Sequence, residues 1–277
     1  MRFFVVSSVF HYLGPAFAVL LFARVEPVGV AVLRIWSAAL VFALWRRFRW
    51  DRTVVAWGVV LAGMNVSFYM AIARLPLGTV AAIEFLPVVG LAALGARTPR
   101  NVVALLAVVG GVYALVDVRL EGEPLGFVLA FLNAALFAFY IVLAHRSAQR
   151  SGAIGGLGAA MAAAAVLTAP GLVVAGPALT DPLLLAAGAG VGICSSVIPY
   201  VCDQLAMARL ARETYALMVA LLPATAVVIG VIVLRQVPSA VEALGVAFVI
   251  FGVALHSGRT ESLKEKAWNT HDSAAQG

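Results

Sequence analysis

Apolar runs of about twenty residues follow one another along this chain, separated by short polar breaks, almost to its C-terminus. Roughly 20 apolar residues are what an α-helix needs to cross a hydrocarbon core of about 30 Å, so each run has the length of a membrane span. Hydrophobic residues make up 63% of the 277 positions and charged ones 12%, and mean hydropathy is +1.03. That balance leaves no stretch for a sizeable soluble domain.

Runs bounded by charges, Pro or Gly place spans at about 3–23, 27–45, 54–73, 77–95 and 101–117 in the first half. The second half gives about 124–144, 154–175, 183–208, 213–234 and 240–257. The first run is about twice the length of a signal-peptide core and leads at once into another span, so it is read as a helix that stays. The fold class expected is an all-α integral membrane protein of ten transmembrane helices.

Lys and Arg decide the orientation, because cytoplasmic loops retain positive charge. Fourteen of the nineteen basic residues fall on the side of the N-terminus, including Arg46, Arg47, Arg49 and Arg52. Arg24, Arg74, Arg119 and Arg235 fall on the other side, and Arg34 lies within a span. Both termini are therefore expected in the cytoplasm. The net charge of +6 is spread over short loops and forms no basic stripe, so nucleic acid is not an expected partner. Cys194 and Cys202 have no CxxC or histidine spacing and read as small buried residues.

The two halves echo each other. AIARL at 71–75 matches AMARL at 206–210, Thr79 and Thr214 keep the same offset, and Pro87 meets Pro223 after one residue of slippage. Five spans per half is an odd number, so the copies would be inserted in opposite senses, with a site near the midplane between them. The expected organisation is a first five-helix repeat at 1–118, a second, inverted, at 119–257, and a polar cytoplasmic tail at 258–277. The tail is too short and polar to fold alone.

Polar residues inside the spans are the candidates for function, because a charge at the centre of a spanning helix costs roughly 2.5–3.5 kcal/mol on insertion scales. Glu84 sits in VAAIEFLPVVG, three residues before Pro87. Pro87 lacks an N–H, so the Ile83 carbonyl loses its helical partner next to the carboxylate. Proton coupling is then an available mechanism, and a structural link to Arg34 or to a tyrosine hydroxyl is the alternative. Pro15, Pro199 and Pro223 are further helix breaks, with packing kinks as their alternative. Ser196, Tyr200, Asp203 and Met207 share one helix face, Asn65 and Tyr69 another, and Asn133, Phe137 and Tyr140 a third. Such stripes suit a cavity wall, while interhelical hydrogen bonding would explain them equally well. Asp203 lies near the cytoplasmic end, where a link to Arg209 is the competing reading. His11 suits a proton relay or a packing role. Arg34 is assigned a structural role, snorkelling towards an interface, with a substrate carboxylate as the second reading. No HExxH, GxSxG, Walker or EF-hand motif occurs, so no enzyme, metal site or cofactor is expected.

Three pieces carry a family likeness: HYLGPAFAVLLF with GVAVLRI, then MNVSFYMAIARLPLGTVAAIEFLP, then SSVIPYVCDQLAMARL with LLPA. They resemble the EamA-type branch of the drug/metabolite transporter superfamily, in its threonine/homoserine exporter-like group. The resemblance reaches from the first span to the tenth. It implies a multi-pass protein of a bacterial inner membrane, a secondary transporter exporting small polar metabolites such as amino acids by alternating access. Its expected partners are the substrate, the lipid bilayer and protons, and a homodimer is compatible with it. Exporters of hydrophobic cations, drugs or nucleobase-like metabolites on the same fold stay open, as does a membrane interaction protein that transports nothing. Where relatives commonly have Glu-Pro this chain has Leu222-Pro223, Asp203 stands where they have Glu, and Leu86 where they have Gly. Arg235 and Gln236 occupy the place of a usual acid.

Overall fold

The structure is a computed structural model, and it describes residues 2–45, 48, 50–87, 99–117, 123–151, 153–207 and 222–257. Among these residues every regular element is a helix. In chain order they are α1 (Arg2–Leu21), α2 (Pro27–Trp45), α3 (Arg52–Ile72), α4 (Leu77–Glu84), α5 (Pro99–Asp117) and α6 (Pro124–Ser151). After them come α7 (Ala153–Thr168), α8 (Gly176–Thr180), α9 (Pro182–Gly192), α10 (Ile198–Met207), α11 (Leu222–Leu234) and α12 (Ala240–Ser257). A 3₁₀ turn, Ala169–Leu172, follows α7, and a π turn, Ile193–Val197, joins α9 to α10.

Local chemistry sets several of these starts. Asp51 accepts from Val54 N at 2.8 Å to cap α3, and Asp181 accepts from Leu183 N and Leu184 N to cap α9. At α12, Ser239 and Glu242 satisfy each other's backbone N–H groups in a capping box. The expected boundaries agree with α2 and α12 at both ends, and α8 is a short helix the hydropathy pattern does not announce.

Among the described residues five helices, including Pro27–Leu44 and Arg52–Ile72, are each long and apolar enough to cross a membrane, and shorter apolar helices accompany them. Large apolar side chains face outward: Leu44 is 82% exposed and Ile232 73%. A belt of this kind is what lipid, not water, would cover.

The helices pack in a definite set of pairs. α5 lies on α12; α3 lies on α6 and α7; α1 lies on α9, the π turn, α10 and α11. α2 packs on α7 and α9, and α4 on α6 and α11. Two buried clusters result. One gathers Tyr12, Tyr69, Leu77, Ile83, Val108 and Val249; the other gathers Ile35, Phe42, Trp57, Leu61 and Met161. α3 contributes to both and joins them.

The closest approach is at the π turn. A Cβ added to Gly14 of α1 would meet Ser195 Cβ at 2.5 Å, and one added to Gly192 would run into Ser37 Oγ and stand 2.7 Å from the Arg34 carbonyl. Glycine is what lets α1 and α2 touch the backbone of this turn. Gly192→Ala is expected to lower stability by about 1–3 kcal/mol through overpacking, read as a fall in the thermal unfolding midpoint of the protein in detergent. Gly190→Ala, where an added Cβ meets nothing within 4 Å, is the control and should leave the midpoint unchanged.

Candidate functional site

α4 is only eight residues long. It ends at Glu84, where Phe85 turns aside (φ −84°, ψ −9°) and its N–H falls back on the Ala82 carbonyl at 3.3 Å. Helical geometry resumes at Leu86 and Pro87, the last described residues of this segment. The break therefore lies at the carboxylate, as the missing N–H of Pro87 requires. Glu84 is 7% exposed and accepts a hydrogen bond from Asn133 Nδ2 of α6 at 3.2 Å. Its partner is thus an amide, where the sequence left Arg34 or a tyrosine as alternatives. It forms no ion pair among the described residues, although Arg34 and Tyr12 are within electrostatic range of it.

A second break lies at Pro199. Pro199 withholds the N–H that the Ser195 carbonyl would take four residues on, and the chain passes through the π turn just before it. Arg34 Nη2 donates to that Ser195 carbonyl at 3.0 Å and Arg34 Nε donates to Ser196 Oγ at 2.9 Å. The guanidinium lies 5.4 Å from the centre of the Tyr69 ring and is 6% exposed. Arg34 is therefore an internal tie between α2, the π turn and α3, and does not reach an interface by snorkelling. Ser7 Oγ of α1 donates to the Pro199 carbonyl at 3.3 Å, so the same break is held from two sides.

Buried polar atoms left without a partner are uncommon and call for an explanation. Among the described residues these include the hydroxyls of Tyr12 and Tyr69 and Oδ1 of Asn133. All three belong to side chains without measurable exposure that stand around Glu84 and Arg34. Tyr69 meets Phe22 edge-on at 6.1 Å, and His11 meets Tyr12 edge-on at 5.2 Å. Below Glu84, Phe85, Phe137, Tyr140 and Trp57 form an aromatic chain, with Phe137 and Tyr140 stacked at 5.7 Å and 9°.

The structure brings together Glu84, Asn133, Tyr69, Arg34 and Ser196, with His11 and Tyr140 at the margin. Asn65 is buried but spends its amide N–H on the Leu61 carbonyl of its own helix at 2.8 Å. Ser196 serves Arg34. Tyr200 is half-buried on α10, and Pro15 lies buried inside α1. Pro223 is buried in the first turn of α11, and its partner carbonyl at Val219 lies outside the described residues, as do Thr214, Arg209, the tail and the side chain of Asp203. Cys194 and Cys202 form no disulfide among the described residues and are half-buried rather than buried. Two residues the sequence does not single out join the cluster. Tyr12 stands beside His11, and Ser195 stands four before Pro199; that spacing is the signal for the freed carbonyl.

The EamA-like transporter family model matches residues 124–258. The threonine/homoserine exporter RhtA of Escherichia coli K12 is 30% identical over 268 residues, covering 92% of this chain and 88% of that protein. The chain belongs to the EamA-like transporter family. Within it the RhtA-like branch is the one it matches, and the RhtA of Salmonella typhimurium SL1344 is 29% identical over 247 residues, covering 86% of this chain and 84% of its own length. A solved crystal structure, 20% identical, superposes with a TM-score of 0.60 over 92% of this chain and 96% of that one, which shows a shared fold. A multi-pass membrane exporter is the activity that membership in this branch supports.

Proposed function

We propose that this EamA-like protein is a secondary transporter of a bacterial inner membrane that exports small polar metabolites, amino acids of the threonine and homoserine kind, by alternating access. The observation that carries the reading is the buried cluster of polar groups at two helix breaks. A carboxylate bonded to a single amide is held there beside an amide oxygen and two tyrosine hydroxyls that have no partner among the described residues. Glu84 and Asn133 Oδ1 are acceptors suited to a substrate ammonium, and the tyrosine hydroxyls are suited to a polar side chain. Names of the relatives support the substrate class.

The helix pairs support ten spans in two inverted repeats. Count α1 to α5 as one set, and α6, α7, the α9–α10 pair, α11 and α12 as the other. Exchanging the sets turns α1 on α10 into α6 on α3, and α2 on α9 into α7 on α3. It also turns α1 on α11 into α6 on α4, and leaves α2 on α7, α4 on α11 and α5 on α12 unchanged. A pseudo-twofold axis has this effect, and in folds built on inverted repeats the transport site lies between the repeats, which supports reading the cluster as that site. Both termini are then cytoplasmic, and energy comes from a proton gradient or the substrate's own gradient.

A tolerance screen tests the reading. Overexpression is expected to raise the threonine or homoserine concentration that halves growth by several-fold, with faster efflux of preloaded labelled threonine. Unchanged amino-acid tolerance together with raised resistance to lipophilic cations would replace this substrate class with the other.

A further inference from the structure

A pocket of about 270 Å³ lies away from the Glu84 cluster, where the α3–α4 link meets α11 and α12. By water's share of liquid volume, about 30 Å³, it holds a solute of about nine heavy atoms. Its α3–α4 wall carries Arg74, Gly78 and Thr79, and its other wall carries Gln236 and Glu242. Arg235 takes a left-handed conformation (φ 55°), which turns Gln236 back so that its N–H meets the Gly230 carbonyl and its Oε1 accepts from Leu77 N at 3.1 Å.

That contact satisfies only the first N–H of α4. The N–H groups of Gly78 and Thr79 have no acceptor among the described residues, because Pro76 offers no side-chain cap. Thr79 is 3% exposed, its hydroxyl has no partner among the described residues, and it lines the pocket. Arg74, which lines the pocket, donates one N–H to the Met70 carbonyl at 2.7 Å, and its side chain makes no other hydrogen bond among the described residues. Two backbone N–H groups at a helix N-terminus, a buried hydroxyl and a guanidinium make an anion site of the size of a carboxylate. Glu242, fixed by its capping contacts with Ser239, puts a negative charge on the wall that α12 supplies. Thr79 is five residues from Glu84 on the same helix, about 7.5 Å along its axis. Tyr69, buried and one turn from Ile72 of the pocket wall, stands between the two places.

We propose that this pocket is a second station for the transported molecule, which takes the carboxylate of a zwitterionic amino acid on the first turn of α4, with Thr79 and Arg74, and its ammonium towards Glu242. This rests on the export of amino acids proposed above. In the orientation read from the basic residues, the station faces the outside and is the last contact before release.

The test uses the purified full-length protein in detergent, with Cys194→Ala, Cys202→Ala and Val237→Cys, since Val237 lines the pocket and is 79% exposed. The rate of maleimide labelling at that cysteine is measured with threonine, with threoninol, which lacks the carboxylate, and with lactate, which lacks the ammonium. Threonine and, more weakly, lactate are expected to slow labelling, and threoninol is not. Thr79→Val and Arg74→Gln should each raise the threonine concentration for half-protection by tenfold or more, and Thr79→Ser should restore it. Equal protection by threoninol, protection unchanged in both Thr79→Val and Arg74→Gln, or no protection by any carboxylate would overturn the station. Threonine efflux from cells carrying the unmodified chain separates the two claims. Efflux without protection removes the station and keeps the exporter; protection without efflux removes the exporter and keeps a carboxylate site.

Discussion

Glu84→Gln is expected to abolish the part of export that a pH gradient drives, a loss of tenfold or more, or at least ~1.4 kcal/mol. Threonine exchange between equal pools at one pH should persist. The reason lies in what the substitution keeps. Glutamine has the shape of glutamate and its carbonyl oxygen can still accept from Asn133 Nδ2, the one hydrogen bond the Glu84 side chain makes among the described residues. Its new amide N–H₂ can donate to Asn133 Oδ1, a buried atom that has no partner among the described residues. Packing and hydrogen bonding are therefore preserved or improved, and what disappears is the exchangeable proton. Reconstituted vesicles with an imposed pH gradient give the measurement. Gradient dependence equal to wild type would sink proton coupling through Glu84.

How much of this could be read beforehand follows from where the information sits. Period and length are local, so the boundaries of α2 and α12 and the break between Glu84 and Pro87 are legible from neighbouring residues. The same holds for Pro199, whose missing N–H is a property of one residue. What is not local is the partner of each broken place. Arg34 meets Ser195 across 161 positions, and Glu84 meets Asn133 across 49. An apolar sequence holds no register for such crossings, because many faces of a Val- and Ala-rich helix are equally apolar. Tyr12 shows the limit most clearly: beside His11 it looks like one more aromatic residue, and only the packing of α1 places its hydroxyl near Glu84. Asn65 shows the converse, an amide at a well-spaced position that folds back on its own helix.

The tie at Arg34 carries the second large effect. Arg34→Met should lower stability by about 2 kcal/mol, seen as a lower unfolding midpoint and as aggregation during gel filtration in detergent. Two hydrogen bonds from a charged donor go, each worth about 1.5–3 kcal/mol, while removing a buried charge returns part of that. The larger cost is left on the other side. The Ser195 carbonyl has no helical donor four residues on, because Pro199 stands there, so without Arg34 Nη2 it stays buried and unpaired. Arg34→Lys should recover only part of the loss, since a single ammonium on a shorter reach cannot repeat the fork to Ser195 O and Ser196 Oγ. Pro199→Ala supplies the missing N–H, and combined with Arg34→Met it should be more stable than Arg34→Met alone, a non-additivity of about 0.5–3 kcal/mol. A double variant as unstable as the sum of the single ones would show that the freed carbonyl is not what Arg34 serves. A substrate-carboxylate role would give another pattern, an Arg34→Met protein with an unchanged midpoint and a raised KM. The tie predicts the reverse order of effects: stability falls first, and transport is lost because α2 and the π turn no longer move as one body.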